Sequence, residues 1–280
     1  LANKPFESIM HDINPEIITF PNGMRLVYQY KDANVGHFGA TILAGSRYET
    51  EEEEGLAHFI EHCIFKGTTN RKAFHILSRL DSVGGELNAY TAKEEIVLYA
   101  SFTNPYLSRA AELISDILFH STFPEKELEK EKEVVLDEIN SYLDAPSDRI
   151  FDDFESKLFK GHSLGGNILG TEESVRSFTR EHILAYIKKH FTPNNIVISY
   201  VGNEKVKNVC KLMEKYYSEG ESTGKKIEIN PFLPNPSFNH KELVANYQTH
   251  LVMGGAAPNY TSEHRKGMVL AYESRQRHYI

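Results

Sequence analysis

The sequence predicts an α+β fold, with a mixed, mainly antiparallel sheet packed against helices. Segments in which apolar and polar residues alternate with period two stand beside segments with the helical 3.6-residue period. The two kinds do not alternate strictly along the chain, which favours α+β over a doubly wound parallel sheet. The 280 residues are 40% hydrophobic and 25% charged, enough for one large core or two smaller ones.

Taken in order, Pro21-Asn22-Gly23 is a hairpin turn signal, and Met24, Leu26 and Tyr28 alternate behind it as a strand. A second strand over about 36–44 ends at Gly45-Ser46. Thr50 then suits a helix N-cap, and the run Glu51 to Glu54 suits the positive end of a helix dipole. Taken alone, that acidic run reads as a solvated helix start. Helical periodicity over 71–83 stops at Gly84-Gly85, and strands follow at about 86–91 and 95–103. Helices are expected over 105–120, 124–143, 147–159 and 180–191, then a strand over 196–201 and a helix over 204–217. Residues 222–239 hold Pro231, Pro234 and Pro236 among Gly, Ser and Asn, which is linker composition. Beyond it, His250 to Gly255 and then Thr261-Ser-Glu-His echo residues 37–50: a strand, a glycine turn, an acidic helix start. The expected division is therefore a first unit at 1–221, a linker at 222–239, and the incomplete start of a second, similar unit at 240–280.

The net charge is −8 and the basic residues form no stripe, which argues against nucleic acid or anionic membrane as a main partner. No run of 18 apolar residues marks a membrane span. Cys63 and Cys210 lie far apart, so reduced thiols are expected rather than a disulfide framework, in keeping with a reducing, cytoplasmic interior. No secretory leader is read at Leu1 to Ile13, although a chain that does not begin with Met leaves room for a processed one.

The chemistry is expected in Leu56-Ala-His58-Phe-Ile-Glu61-His62-Cys-Ile-Phe65. On a helix, His58, Glu61 and His62 share one face. Every other residue of the segment is apolar or Cys, so the helix should be buried on most sides. Ionisable groups on such a helix need partners, and a metal ion supplies one. With 13 histidines in the chain, the spacing alone is modest evidence, and the segment 124–143 supplies a second observation. At about 100° per residue, Leu128, Val135, Ile139 and Tyr142 form an apolar arc, with Glu131 and Glu138 within or beside it. Lys126, Lys130, Glu133 and Asp137 fall on the opposite, watery side. Catalytic zinc usually takes three protein ligands and leaves a position open. His58, His62 and Glu138 meet that count, Glu61 is placed to act as general base, and Glu131 to orient a ligand.

His58-x-x-Glu61-His62 followed far downstream by Glu138 resembles the inverzincin pattern of the pitrilysin, insulin-degrading enzyme and mitochondrial processing peptidase β-subunit family. The family's pair of helical glutamates seven positions apart is matched by Glu131 and Glu138. Gly84-Gly85-Glu-Leu-Asn88-Ala89-Tyr90-Thr91 resembles its substrate-binding edge strand, and Lys66-Gly67-Thr68 and Thr192-Pro193-Asn194-Asn195 resemble two further segments. The resemblance covers about residues 15–270 and is nearest to bacterial, processing-peptidase-like members. It implies peptide hydrolysis on one Zn²⁺ per chain, with a peptide substrate adding as a strand beside Asn88, Ala89, Tyr90 and Thr91. It also implies a second, non-catalytic half that closes a chamber and carries an arginine and a tyrosine. Here that half begins near His240 and reaches Ile280 without the Arg/Tyr segment. Two functions are therefore expected to compete: a zinc endopeptidase, or a peptide-binding or assembly half that holds zinc and needs a partner chain or a second copy for activity. A closed structural zinc site fits less well, because it would use four Cys or His ligands. Cys63 is expected to be a small buried hydrophobe, and His75, His120 and His190 to be surface or structural residues.

Overall fold

The computed structural model describes residues 14–220, 232, 237–243, 248–259 and 261–268. Six strands form one sheet: β1 (Glu16–Thr19), β2 (Arg25–Tyr30), β3 (Val35–Ile42), β4 (Glu86–Thr91), β5 (Ile96–Thr103) and β6 (Ile196–Gly202), in the order β1-β2-β6-β3-β5-β4. The Pro21-Asn22-Gly23 turn joins β1 to β2 in antiparallel register, with Thr19 opposite Arg25. The short link between β2 and β3 does not make them neighbours, because β6 returns from the helical region and inserts between them. It pairs parallel to β2 and antiparallel to β3, which makes an otherwise antiparallel sheet mixed.

Period-two alternation puts one sheet face in the core. The register aligns Leu26, Ile198, Ala40, Leu98 and Ala89 in a stripe across five strands. Helix α3 (Leu107–His120) packs on β3 and β5, burying Ala110, Ala111, Leu113, Ile114 and Ile117. Burying a leucine or isoleucine side chain contributes about 1.5–3 kcal/mol. Among the described residues up to 220, the other helices are α1 (Leu56–Cys63), α2 (Ala73–Asp81), α4 (Glu125–Leu143), α5 (Pro146–Leu158), α6 (Glu172–Ser177), α7 (Arg180–His190) and α8 (Val206–Tyr216).

The helix expected to open at Thr50 is two elements. Thr50 and Glu53 form a capping box around a single 3-10 turn, Glu51–Glu53. The chain then breaks at Gly55, whose φ of +89° is left-handed, and α1 starts afresh at Leu56. A Cβ on Gly55 would lie 2.6 Å from the Gly170 Cα, so two backbones touch at this point. Helix α6, just beyond Gly170, was not anticipated; at six residues it is too short to show a period.

Of the expected linker, only Phe232 and residues 237–239 are described. Phe232 packs on Phe159 at 4.5 Å between ring centres, and Phe238 on Phe154 at 5.5 Å. Residues 248–259 form no strand, where one was expected from His250. A strand needs a hydrogen-bonded neighbour, and none of the described strands pairs with this stretch. A helical turn does follow, at 265–268. Residues 221–231, 233–236, 244–247, 260 and 269–280 lie outside the described residues. Among the described residues no helix is long and apolar enough to cross a membrane, and Cys63 and Cys210 are free thiols.

Candidate metal centre

Helix α1 packs against α4 on one side and β4 on the other. Leu56, Ala57, Phe59, Ile60 and Cys63 point into the core, and burial pushes the Cys63 thiol upward. The remaining face carries His58, Glu61 and His62 toward the groove between α4 and β4. This helix has too few residues to be stable in isolation, so its neighbours decide where that face lies.

On helix α4, Glu131 is half-buried but Glu138 is exposed, although both were expected within or beside the apolar arc. Leu128, Val135 and Ile139 are buried, while Lys126, Lys130, Glu133 and Asp137 are exposed. Glu138 Oε2 lies 3.3 Å from His62 Nε2 and 3.7 Å from His58 Nε2. One ligand atom from each of His58, His62 and Glu138 falls within 4.8 Å of the other two. The Glu138 side chain is 45% exposed, so this corner opens to solvent instead of being closed over by the core. The imidazoles meet edge to face, 4.6 Å between centres.

The electrostatics suit a cation. Burial pushes His58 down to about 4, and His62 beside it adds to the shift. His58 is therefore neutral near pH 7, the state in which an imidazole can bind a metal. Two imidazoles and a carboxylate form the donor set that catalytic zinc sites use. The residues present thus fit one zinc ion. Burial pushes the Glu61 carboxyl up to about 7, with Glu138 adding to the push and the Thr91 hydroxyl opposing it. A carboxylate with that value can take up and release a proton near neutrality.

Glu131, two helical turns before Glu138, sends Oε2 to within 3.6 Å of His62 Nδ1, and its other oxygen pairs with Lys66 Nζ at 2.6 Å. Lys66-Gly67-Thr68 leads the chain out of α1, and Thr68 is tied down by Asp116. That buried carboxylate accepts from Thr68 Oγ1 (2.8 Å), Asn70 Nδ2 (2.6 Å) and Arg71 Nη1 (2.6 Å).

β4 is an edge strand, hydrogen-bonded to β5 alone among the described residues. Asn88 and Tyr90 are exposed, while Ala89 and Thr91 are half-buried. A second strand could add to this edge beside α1.

Sequence reading missed three contributors. Glu49 accepts the backbone N–H groups of Gly55 (3.0 Å) and Ala57 (2.7 Å), the first turn of α1. Lys66 balances Glu131. Lys132 is buried on α4, its Nζ donating to Glu129 at 2.8 Å and to the Arg176 carbonyl at 3.3 Å. Apart from the Lys132–Glu129 pair, which has helical i, i+3 spacing, these contacts are not encoded by local periodicity, and only the motif Lys66-Gly67-Thr68 gave any signal. Of the other histidines, His75 is exposed, and His120 is half-buried between Asp116 and Glu219. His190 is buried against Tyr186.

Comparison with known proteins bears on the same region. Residues 25–172 match the family described as Insulinase (Peptidase family M16), and residues 177–272 match the Peptidase M16 inactive domain. The chain is 38% identical over 243 residues to an uncharacterized zinc protease of Bacillus subtilis, covering 84% of this chain and 58% of that protein. It is 34% identical over 220 residues to a probable mitochondrial-processing peptidase subunit beta of Arabidopsis thaliana, covering 77% of this chain and 41% of that protein. A crystal structure of a protease from Helicobacter pylori superposes with a TM-score of 0.74 at 22% identity, over 79% of this chain and 54% of that one. The chain thus spans roughly half the length of the curated relatives it matches. Two family matches in tandem, and relatives that are zinc proteases and processing-peptidase subunits, lead to one conclusion: this chain belongs to the insulinase family of peptidases, family M16.

Proposed function

We propose that the chain is the metal-holding half of a zinc endopeptidase that cleaves peptides or presequences. The observation that carries this reading is the convergence of donor atoms from His58, His62 and Glu138, two elements far apart in sequence, within 4.8 Å. These three residues would hold the zinc. When bound, zinc supplies Lewis-acid activation of water and of the scissile carbonyl. Glu61 takes the proton from the attacking water and passes it to the leaving amine, for which a value near 7 suits it. Glu131, held by Lys66, orients the His62 ring through Nδ1. The edge of β4 at Asn88, Ala89, Tyr90 and Thr91 aligns the peptide through its backbone, so sequence preference would come from pockets elsewhere.

A relative named as a processing-peptidase subunit beta favours a second reading, in which the chain works with a partner chain or a second copy that completes the chamber. Metal content and cleavage of a quenched peptide, measured for the parent and Glu61→Gln, test the proposal. The expected result is equal zinc in both and a loss of turnover on the order of 10²–10⁴-fold in the variant. Equal, negligible turnover in both, unchanged by added partner half, would favour a peptide-binding module.

A further inference from the structure

We propose that Glu49 is a positioning residue for the metal centre: its buried side chain clamps the first turn of α1 and so sets where His58, Glu61 and His62 stand. This rests on the zinc-peptidase reading above.

The first N–H groups of a helix have no partner within it and need one from outside. The usual solution is a Ser, Thr, Asp or Asn at the N-cap, but α1 has Gly55 there, with no side chain to offer. Thr50 and Glu53 cap only the preceding 3-10 turn. Glu49 fills the gap from outside the helix. Its Oε2 accepts from Gly55 N and its Oε1 from Ala57 N, at 3.0 and 2.7 Å. Both oxygens are used, so two amide directions are fixed by one side chain. Ala57 directly precedes His58, so the clamp acts one peptide away from a ligand.

Leverage follows from length. α1 has eight residues, or about 12 Å at the helical rise of 1.5 Å per residue. A shift of its first turn is therefore carried to all three groups on its groove face. Glu138, on a separate helix, would not follow. The far end of α1 is held independently, by Ser121 Oγ donating to the Ile64 carbonyl, just past the helix, at 3.0 Å. A fixed second end makes the clamp at the first turn a control on tilt. Burial pushes the Glu49 carboxyl up to about 8 against the pull of the two amide bonds.

Glu49→Gln is the informative change. One amide would still find the carboxamide oxygen, but the other would face an NH₂ donor. The full 280-residue chain would be used. Zinc affinity would be measured by competition with a chromophoric chelator, and exchange of amide hydrogens 55–58 would be followed in the zinc-free chain. Affinity is expected to fall about 10–100-fold, the usual cost of losing a residue that orients a ligand, with faster exchange at Gly55 and Ala57. Glu53→Gln, which loosens only the preceding turn, is expected to match the parent in both. Should Glu49→Gln not fold, Glu49→Asp keeps two oxygens set back by one methylene and is expected to lose affinity severalfold. Parental affinity in the folded Gln variant, or in Asp where Gln does not fold, overturns the proposal, as does unchanged exchange at 55–58 or an equal loss in Glu53→Gln. A parent that binds zinc in a His58-dependent way while Glu49→Gln matches it sinks the role of Glu49 alone. A parent that takes up no zinc sinks the peptidase reading, and this role with it.

Discussion

Replacing Gly55 by Ala tests whether the start of α1 is wedged against the loop before α6. Gly55 has φ +89°, and an added Cβ would lie 2.6 Å from Gly170 Cα and 2.8 Å from Leu169 O, both backbone atoms. Gly84, at the turn into β4, has φ +72° and nothing within 4 Å of such a Cβ. Both substitutions force an L-residue into left-handed backbone, at about 1–2 kcal/mol. Both also gain the same unfolded-state entropy term, so the comparison isolates the clash. Overpacking adds about 1–3 kcal/mol at Gly55 only. Gly84→Ala is therefore expected to cost about 1–2 kcal/mol and Gly55→Ala about 2–5 kcal/mol. In thermal melts of the metal-free chain the two should differ by roughly 2–12 °C, at about 2–4 °C per kcal/mol for a chain of this size. Equal losses would refute the reasoning, because they would mean that the Gly170 backbone is free to move away from the helix start.

His190 predicts acid sensitivity unrelated to the metal site. Burial, then Lys189, push it down to about 4 against the pull of Glu53, whereas an unfolded histidine titrates near 6.5. The folded form thus binds fewer protons, so nothing is lost above about pH 6.5, and on the order of 2–3 kcal/mol is lost as the pH falls from there to about 4. His190→Gln should flatten urea-measured stability across that window, and an unchanged slope would contradict the assignment. Asp116→Ala should cost about 2–3 kcal/mol, because it takes the acceptor from the Thr68 and Asn70 donors, while Arg71 keeps its ion pair with Glu112. A urea midpoint within about 1 kcal/mol of the parent would show that water replaces the carboxylate.

By itself the sequence determined whatever has a short period. Two-residue alternation located β2, β3, β5 and β6, the 3.6-residue repeat located the long helices, and four-residue spacing put His58 and His62 on one face. The same helical repeat set Glu131 and Glu138 apart from Glu133 and Asp137 on α4, since facing is fixed once a helix and its apolar arc are known. Only the tertiary structure decided what joins distant segments. It brought Glu138 to within 3.3 Å of His62, inserted β6 between β2 and β3, broke the Thr50 helix at Gly55 where Gly170 crosses, and brought Glu49 back onto α1. Those outcomes depend on which surfaces meet when the core closes. A contact between residues far apart in the chain leaves no period for the sequence to display.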